Sequence, residues 1–242
     1  EEGYPAYLPS RLAEFYERGG YVRTLGGEEA SITLIGAVSP QGSDFSEPVT
    51  QNTKRFVSCF WALDKSLAYA RHYPAINWMT SYSEYMDALA PWYNENVNAN
   101  FTKYRGRILR LLNEEDQLME IVKLIGADVL PDAQRLVIEI AKVIRVGFLQ
   151  QNAMHPIDTY MSIDRQFKMM ELILYLYDEA QKIISRAVPI SQLVKTGVFD
   201  SVIRLKFEIK EKDDSIFNDK KQEIDKAFAA VSEENFGSNE VK

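Results

Sequence analysis

Cysteine is almost absent from this sequence: Cys59 is alone among 242 residues. No intrachain disulfide can form, so a reducing, cytoplasmic compartment is the expectation. Histidine is nearly as scarce. His72 and His155 stand far apart with no cysteine or acidic ligand spacing around them, so no zinc site is expected. Long apolar runs are missing too: nothing approaches the roughly 18 consecutive residues of a membrane span. The opening Glu1-Glu2-Gly3-Tyr4-Pro5 lacks the basic and then apolar stretch of a signal peptide. It also lacks methionine, and it reads as a cut inside a longer protein. Excess positive charge is absent as well. A formal net charge of -7 argues against nonspecific binding to nucleic acid or to an anionic membrane. A single anionic ligand held by local donors is still compatible with it.

The residues that are present suit a globular protein. The chain is 46% hydrophobic and 12% aromatic, enough to bury a core. Its length fits one large domain or two small ones, at about 150 residues per domain. Two regimes divide it. Residues 1–85 mix helix and strand signals with glycine- and proline-rich connections, and residues 86–242 read as almost wholly helical. In the first part a short helix is expected over 11–18, capped by Ser10 and stopped by Gly19-Gly20. Strands are expected at 21–23 and 31–38, around the Gly26-Gly27 turn. The second, a near-continuous apolar run, predicts a strand covered on both faces. After a long loop over 39–53, the spacing of Phe56, Phe60, Leu63 and Leu67 predicts one helix from Thr53 to Arg71. In the second part helices are expected at 101–112, 115–125, 132–151, 158–186, 190–195, 198–209 and 214–231. The segment 232–242 is polar and expected to fray.

Four segments carry a resemblance. They are Gly3-Tyr4-Pro5-Ala6-Tyr7-Leu8-Pro9-Ser10-Arg11-Leu12-Ala13, Gly42-Ser43-Asp44-Phe45-Ser46-Glu47-Pro48-Val49-Thr50-Gln51-Asn52-Thr53, His72-Tyr73-Pro74-Ala75-Ile76-Asn77-Trp78 and Gly147-Phe148-Leu149-Gln150-Gln151-Asn152-Ala153. In order and spacing the chain resembles the catalytic A subunit of archaeal- and vacuolar-type rotary ATPases. That resemblance implies a fold of class α/β plus all-α. The trailing part of a RecA-like P-loop NTPase domain would lead into a helical-bundle C-terminal domain. It also implies non-catalytic B subunits as partners in an alternating hexamer, together with central shaft and peripheral stalk subunits. Nucleic acid is not an expected partner, and the membrane is reached only through the complex. The whole subunit would use ATP or ADP with Mg²⁺ and couple it to proton or sodium transport from the cytoplasmic side.

The P-loop pattern G-x-x-x-x-G-K-[ST] occurs nowhere in these residues. Its backbone amides and lysine would hold the phosphates. The resemblance places the family's water-polarising glutamate and metal-side aspartate outside this sequence as well. Phosphoryl transfer rests on positioning and charge stabilisation, so no catalytic residue and no metal ligand is assigned here. The chain alone is expected to be inactive, with no tightly bound nucleotide.

An adenine ring needs facing apolar or aromatic walls. Tyr73, before Pro74, matches the family position that stacks on adenine, where phenylalanine is commoner; taken alone it is an ordinary tyrosine. The opposite wall is implied for Gln151, Asn152, Ala153 and Met154, with Tyr160 at the border. Met154 stands where the family commonly has phenylalanine, and a thioether can still pack on a ring. Without the resemblance, Gln151 and Asn152 read as a helix C-terminal cap. Asp44 and Glu47 lie in a glycine-bearing loop with no third ligand nearby, so a metal or acid–base role is not favoured. The turn Gly126-Ala127-Asp128-Val129-Leu130-Pro131-Asp132 reads as a capped helix–helix connection, with Asp132 as the cap. The resemblance adds a contact with the rotating shaft through Gly126, Asp128, Val129, Leu130, Pro131 and Asp132. Cys59 reads as a buried, inert thiol in an amphipathic helix. Two other readings stand beside this one: an interaction module that binds no nucleotide, and a related non-catalytic B-type ring subunit.

Overall fold

A computed structural model describes residues 3–126, 129–209 and 214–236. Contacts divide the chain into two units, residues 1–62 with 80–87 and residues 63–79 with 88–242.

The first unit is α/β. Helix α1 (Leu8–Tyr16) starts where Pro9, with no amide hydrogen to satisfy, fits the first turn. Ser10 does not cap it, since its hydroxyl donates to the Tyr7 carbonyl at 2.9 Å. Strands β1 (Gly20–Arg23) and β2 (Glu29–Ile32) pair antiparallel, Gly20 opposite Ile32 and Arg23 opposite Glu29. Gly27 closes their turn at φ 87°, a conformation glycine adopts without a Cβ penalty. The expected strand over 31–38 is thus cut short at Ile32. It is not covered, because both strands are exposed along their length and pair only with each other among the described residues.

Helix α2 (Pro48–Phe56) is capped by Glu47, whose carboxylate accepts from the Thr50 amide at 3.0 Å and hydroxyl at 2.8 Å. The single helix expected from Thr53 to Arg71 does not form. Val57 is extended, and β3 (Cys59–Phe60) pairs antiparallel with β4 (Tyr82–Ser83). At Leu63 the chain passes into the second unit, where a new helix, α3 (Lys65–Tyr69), begins after Asp64. The apolar spacing was helical, but the Asp64 carboxylate captures the Ser66 amide at 2.7 Å and fixes a helix start inside the run. Cys59 therefore lies half-buried on a strand, not in a helix.

The second unit is all-α around a layered apolar core. From Ala88 onward it takes in most of α4 (Met86–Asn96). It continues with α5 (Phe101–Ile125), α6 (Asp132–Val143), α7 (Ile163–Ile184), α8 (Ile190–Lys195), α9 (Val198–Arg204) and α10 (Ser215–Phe236). Where two helices were expected over 101–125, one runs unbroken. Asn113 folds its amide back onto the Leu109 carbonyl at 2.9 Å, and Glu115 is buried and bonded to Arg145. Helix α7 packs against α5, α6 and α10. Its Met169, Leu172, Ile173 and Leu176 are fully buried with Leu136 and Ile140 of α6. The spacing of three and four along each helix makes that common stripe. Past Val143 the expected α-helix relaxes into a π-turn, Ile144–Leu149. There a Cβ on Gly147 would stand 3.1 Å from the Ile203 Cα, so glycine allows the turn to lie directly on the α9 backbone.

Candidate functional site

Two segments nearly eighty residues apart meet in the second unit. The first is built outward from Asp64. Besides capping α3, its carboxylate accepts from the Asn77 side-chain amide at 2.8 Å. The Asp64 amide donates to the Ala75 carbonyl at 2.9 Å, and Leu63 bridges Ile76. The Ser66 and Asn77 bonds outweigh burial and hold the Asp64 carboxyl below the usual aspartate range. The chain is thereby closed into a loop whose far side is Arg71-His72-Tyr73-Pro74. Arg71 takes a left-handed φ of 56°, and the Tyr73–Pro74 peptide is cis. His72 turns inward: it is buried, with its ring 5.5 Å from that of Trp78. Burial, and then the charges of Lys206 and Arg145, lower its pKa from the ordinary value. Tyr73 turns outward and stays 54% exposed.

The second segment leaves the π-turn. Gln150 is extended, and its amide closes back on the Arg145 carbonyl at 2.9 Å. Its side-chain amide donates to the Arg71 carbonyl at 3.2 Å, and the Gln151 backbone amide donates to the Tyr73 carbonyl at 2.8 Å. These two bonds seat the turn beside Tyr73. Beyond them, the Asn152 amide donates to Asp158 at 2.7 Å, and the Asn152 side chain accepts from the Met154 amide at 3.0 Å. Asn152 is therefore a turn former rather than a helix cap. Thr159 donates to the Ala153 carbonyl at 3.0 Å and closes the loop. Met154 and Tyr160 project into solvent, 92% and 83% exposed.

Tyr73 and Pro74 are thus brought beside Gln151 by direct bonds, and Asn152, Ala153 and Met154 follow within the same turn. Tyr160 lies just past it, with its carbonyl taken by Arg165 at 3.4 Å. The residues expected at the shaft lie elsewhere. Gly126 ends α5 at φ 87°, Val129 is 64% exposed and Leu130 is buried. Asp128 falls outside the described residues. Asp132 does not cap α6: Pro131 holds that position, Asp132 is the first helical residue, and no side-chain cap bond forms. The register of the first turn decides this: the Pro131 carbonyl accepts from the Gln134 and Arg135 amides at 2.9 and 3.0 Å, which puts Asp132 one residue inside the helix and past the cap position. This turn and the Gln150 turn sit at opposite ends of the 12-residue α6 and its six-residue π extension. At 1.5 Å per residue that is about 27 Å.

Asp44 and Glu47 act locally. Asp44 accepts from the Ser46 hydroxyl and amide, which hold its carboxyl below the ordinary range. Glu47 also accepts from the Tyr4 hydroxyl at 2.8 Å. Burial pushes its pKa up, but the Tyr4 and Thr50 bonds bring it below the usual value. No group of three or more His, Cys, Asp or Glu among the described residues could hold a metal ion. His155 accepts the Ile157 amide at 3.2 Å and rests on the Phe207 ring.

Sequence reasoning missed Asp158 and Lys206. Both are buried, and the Lys206 ammonium donates to the Val146 and Gln150 carbonyls at 2.7 and 2.6 Å. A signal was available: Lys206 falls four residues after Val202 and next to Leu205, on the buried stripe of the last helices.

Comparison with known proteins gives concordant matches. Residues 1–83 match the model of the ATP synthase alpha/beta family nucleotide-binding domain. Residues 90–194 match the C-terminal domain of V and A type ATP synthase. The V-type ATP synthase alpha chain of Halothermothrix orenii is 55% identical over 229 residues, 94% of this chain and 39% of that protein. The alpha chain 2 of Clostridium tetani is 56% identical over 213 residues, 88% of this chain and 36% of the relative. The corresponding chain of the A-type ATP synthase of Methanopyrus kandleri is 46% identical over 236 residues, 97% and 40%. Among solved structures, the unique ATP synthase protein NeqB from Nanoarcheaum equitans matches with a TM-score of 0.60 and 26% identity, covering 73% of this chain and 41% of that one. The chain spans about two fifths of the length of the curated relatives it matches.

Proposed function

Because the chain belongs to the alpha-chain family of V- and A-type ATP synthases, we propose that it forms the base-binding and shaft-facing part of a subunit that couples ATP hydrolysis or synthesis to proton or sodium transport. The observation that carries the first role is the pair of hydrogen bonds from Gln150 and Gln151 to the Arg71 and Tyr73 carbonyls. They set an exposed aromatic ring beside a turn ending in an exposed methionine, which suits a flat apolar ring between two walls. Tyr73 and Pro74 form one wall, Gln151, Asn152, Ala153 and Met154 the other, and Tyr160 the border. The sequence has no P-loop for phosphates. Phosphate, metal and catalysis therefore belong, in this proposal, to other parts of the subunit. By itself this chain does not hydrolyse ATP.

The second role belongs to the other end of α6. At the end of α5 Leu124 and Ile125 are 84% and 55% exposed, and ahead of α6 Val129 is 64% exposed. An apolar tip of this kind suits contact with a shaft subunit through shape rather than charge. B-type ring subunits and a peripheral stalk complete the proposed assembly, on the cytoplasmic face of a membrane. No described helix is long and apolar enough to cross a membrane. A nucleotide-domain tail over 1–85 and a helical domain over 86–242 are part of the proposal, although contacts group residues 63–79, Tyr73 among them, with the helices.

Tyr73→Ala in the assembled enzyme tests the base site. The base lies away from the bond that breaks, so stacking contributes equally to ground and transition states and appears in KM. Losing roughly 1–3 kcal/mol of stacking raises KM about 5- to 150-fold with kcat nearly unchanged. A large fall in kcat at constant KM would give Tyr73 another role. An unchanged pair would favour the interaction-module reading.

A further inference from the structure

The base-side turn has no helix of its own behind it. It leaves a π-turn whose carbonyls are no longer paired in the α-helical pattern, and its shape must come from elsewhere. Two charged groups stand at that place. Lys206 is 3% exposed and Asp158 is fully buried. The Lys206 ammonium has three donors. Two reach the Val146 and Gln150 carbonyls, and Asp158 lies 3.9 Å away as its counter-ion. Asp158 in turn holds the Asn152 amide. One buried pair thus grips both ends of the Gln150–Asn152 stretch, by its carbonyl at one end and its amide at the other. Burial lowers the Lys206 pKa and Asp158 opposes that shift.

An ion pair taken out of water is an inefficient way to gain stability, since desolvation offsets most of the attraction. An apolar side chain at 206 would pack in the same stripe at no such cost. What it could not do is donate to two diverging carbonyls. Lys206 comes from the 3₁₀ turn Leu205–Phe207 that follows α9, far along the chain from the turn it holds.

We propose that Lys206 and Asp158 are positioning residues that lock the Gln150–Asn152 turn against Tyr73, so that the terminal helices of this chain set the width of the base-binding gap. The proposal rests on the base-site reading above. Neither side chain touches the nucleotide; both act through the turn.

The test uses Lys206→Met, Lys206→Arg and Asp158→Asn in the assembled enzyme, with Tyr73→Ala as reference. Two readouts are taken: KM and kcat for ATP, and hydrogen exchange at the Gln151 and Asn152 amides. Lys206→Met is expected to raise KM about tenfold, the scale of a lost charge-assisted hydrogen bond, with kcat nearly unchanged. It should also accelerate exchange at Gln151 and Asn152. Lys206→Arg, which keeps donors, should restore most of both. Asp158→Asn retains an acceptor for the Asn152 amide and serves if Lys206→Met fails to fold; it is expected to raise KM less, with faster Asn152 exchange. Unchanged exchange in Lys206→Met or Asp158→Asn overturns the lock. Faster exchange with unchanged KM, where Tyr73→Ala raises KM, overturns the positioning role. If Tyr73→Ala leaves KM unchanged, the base-site reading fails and this proposal falls with it, while the exchange data still report separately on the lock.

Discussion

Behind the Tyr73 loop the imidazole of His72 is packed against Trp78, with Lys206 and Arg145 adding positive potential. Burial first, and those charges second, lower its pKa. The consequence for stability has a definite sign. The unfolded chain takes up this proton at about pH 6.5, and the folded chain does so only at lower pH. Between those values the unfolded state binds more protons, so stability is full above about pH 6.5 and declines as the pH falls toward the folded pKa. Thermal melting of the wild type and His72→Phe should therefore diverge on acidification from pH 6.5, the wild type losing more. Parallel curves would contradict this account of His72. Asp44, Glu47 and Asp64, all lowered, add acid sensitivity common to both proteins, lost below about pH 4 as those carboxylates protonate.

Helix α6, with its π extension, carries the turn toward Asp132 at one end and the base-side turn at the other. That arrangement separates two effects. Leu124→Asp with Val129→Asp alters the exposed apolar tip; in the assembled motor it should cut rotation torque while KM for ATP stays near the wild-type value. Asp132→Ala should leave both nearly intact, because no cap bond depends on its carboxylate. Full torque in the double variant would rule the tip out as the shaft contact. The same elements show what the sequence made legible. Helical periodicity marked the run of helices from residue 101 onward, and Gly126 and Pro131 bracketed the turn between α5 and α6. The segment over 53–71 misled because Phe56, Phe60, Leu63 and Leu67 kept a helical spacing through two strand residues and a restart. The deciding signal was local, the Asp64–Ser66 cap. Tyr73 and the Gln151–Met154 turn were named from resemblance, and their adjacency needed two backbone-directed bonds that no pattern encodes. Lys206 could be marked as a charge on a buried stripe, but its role needed the Val146 and Gln150 carbonyls that only the fold brings to it.

For the whole molecule, the chain spans about two fifths of its curated relatives. An α/β unit with an exposed two-stranded ribbon accompanies an all-α unit that contains the entire candidate base site. Every residue of the proposed base site lies in the second unit, so under that proposal a preference for the base should survive in this chain, whose sequence has no P-loop. With only stacking and turn contacts available, affinity should be weak, about millimolar or poorer, since 1 mM already requires about 4 kcal/mol. Titration of the isotopically labelled chain with adenosine, ADP and inorganic pyrophosphate, followed by amide NMR shifts, tests this directly. Adenosine and ADP should shift the same amides, at Tyr73, Gln151 to Met154 and Tyr160, while pyrophosphate leaves them unmoved. Adenosine that shifts none of these amides, or pyrophosphate that shifts the same set, would contradict the account.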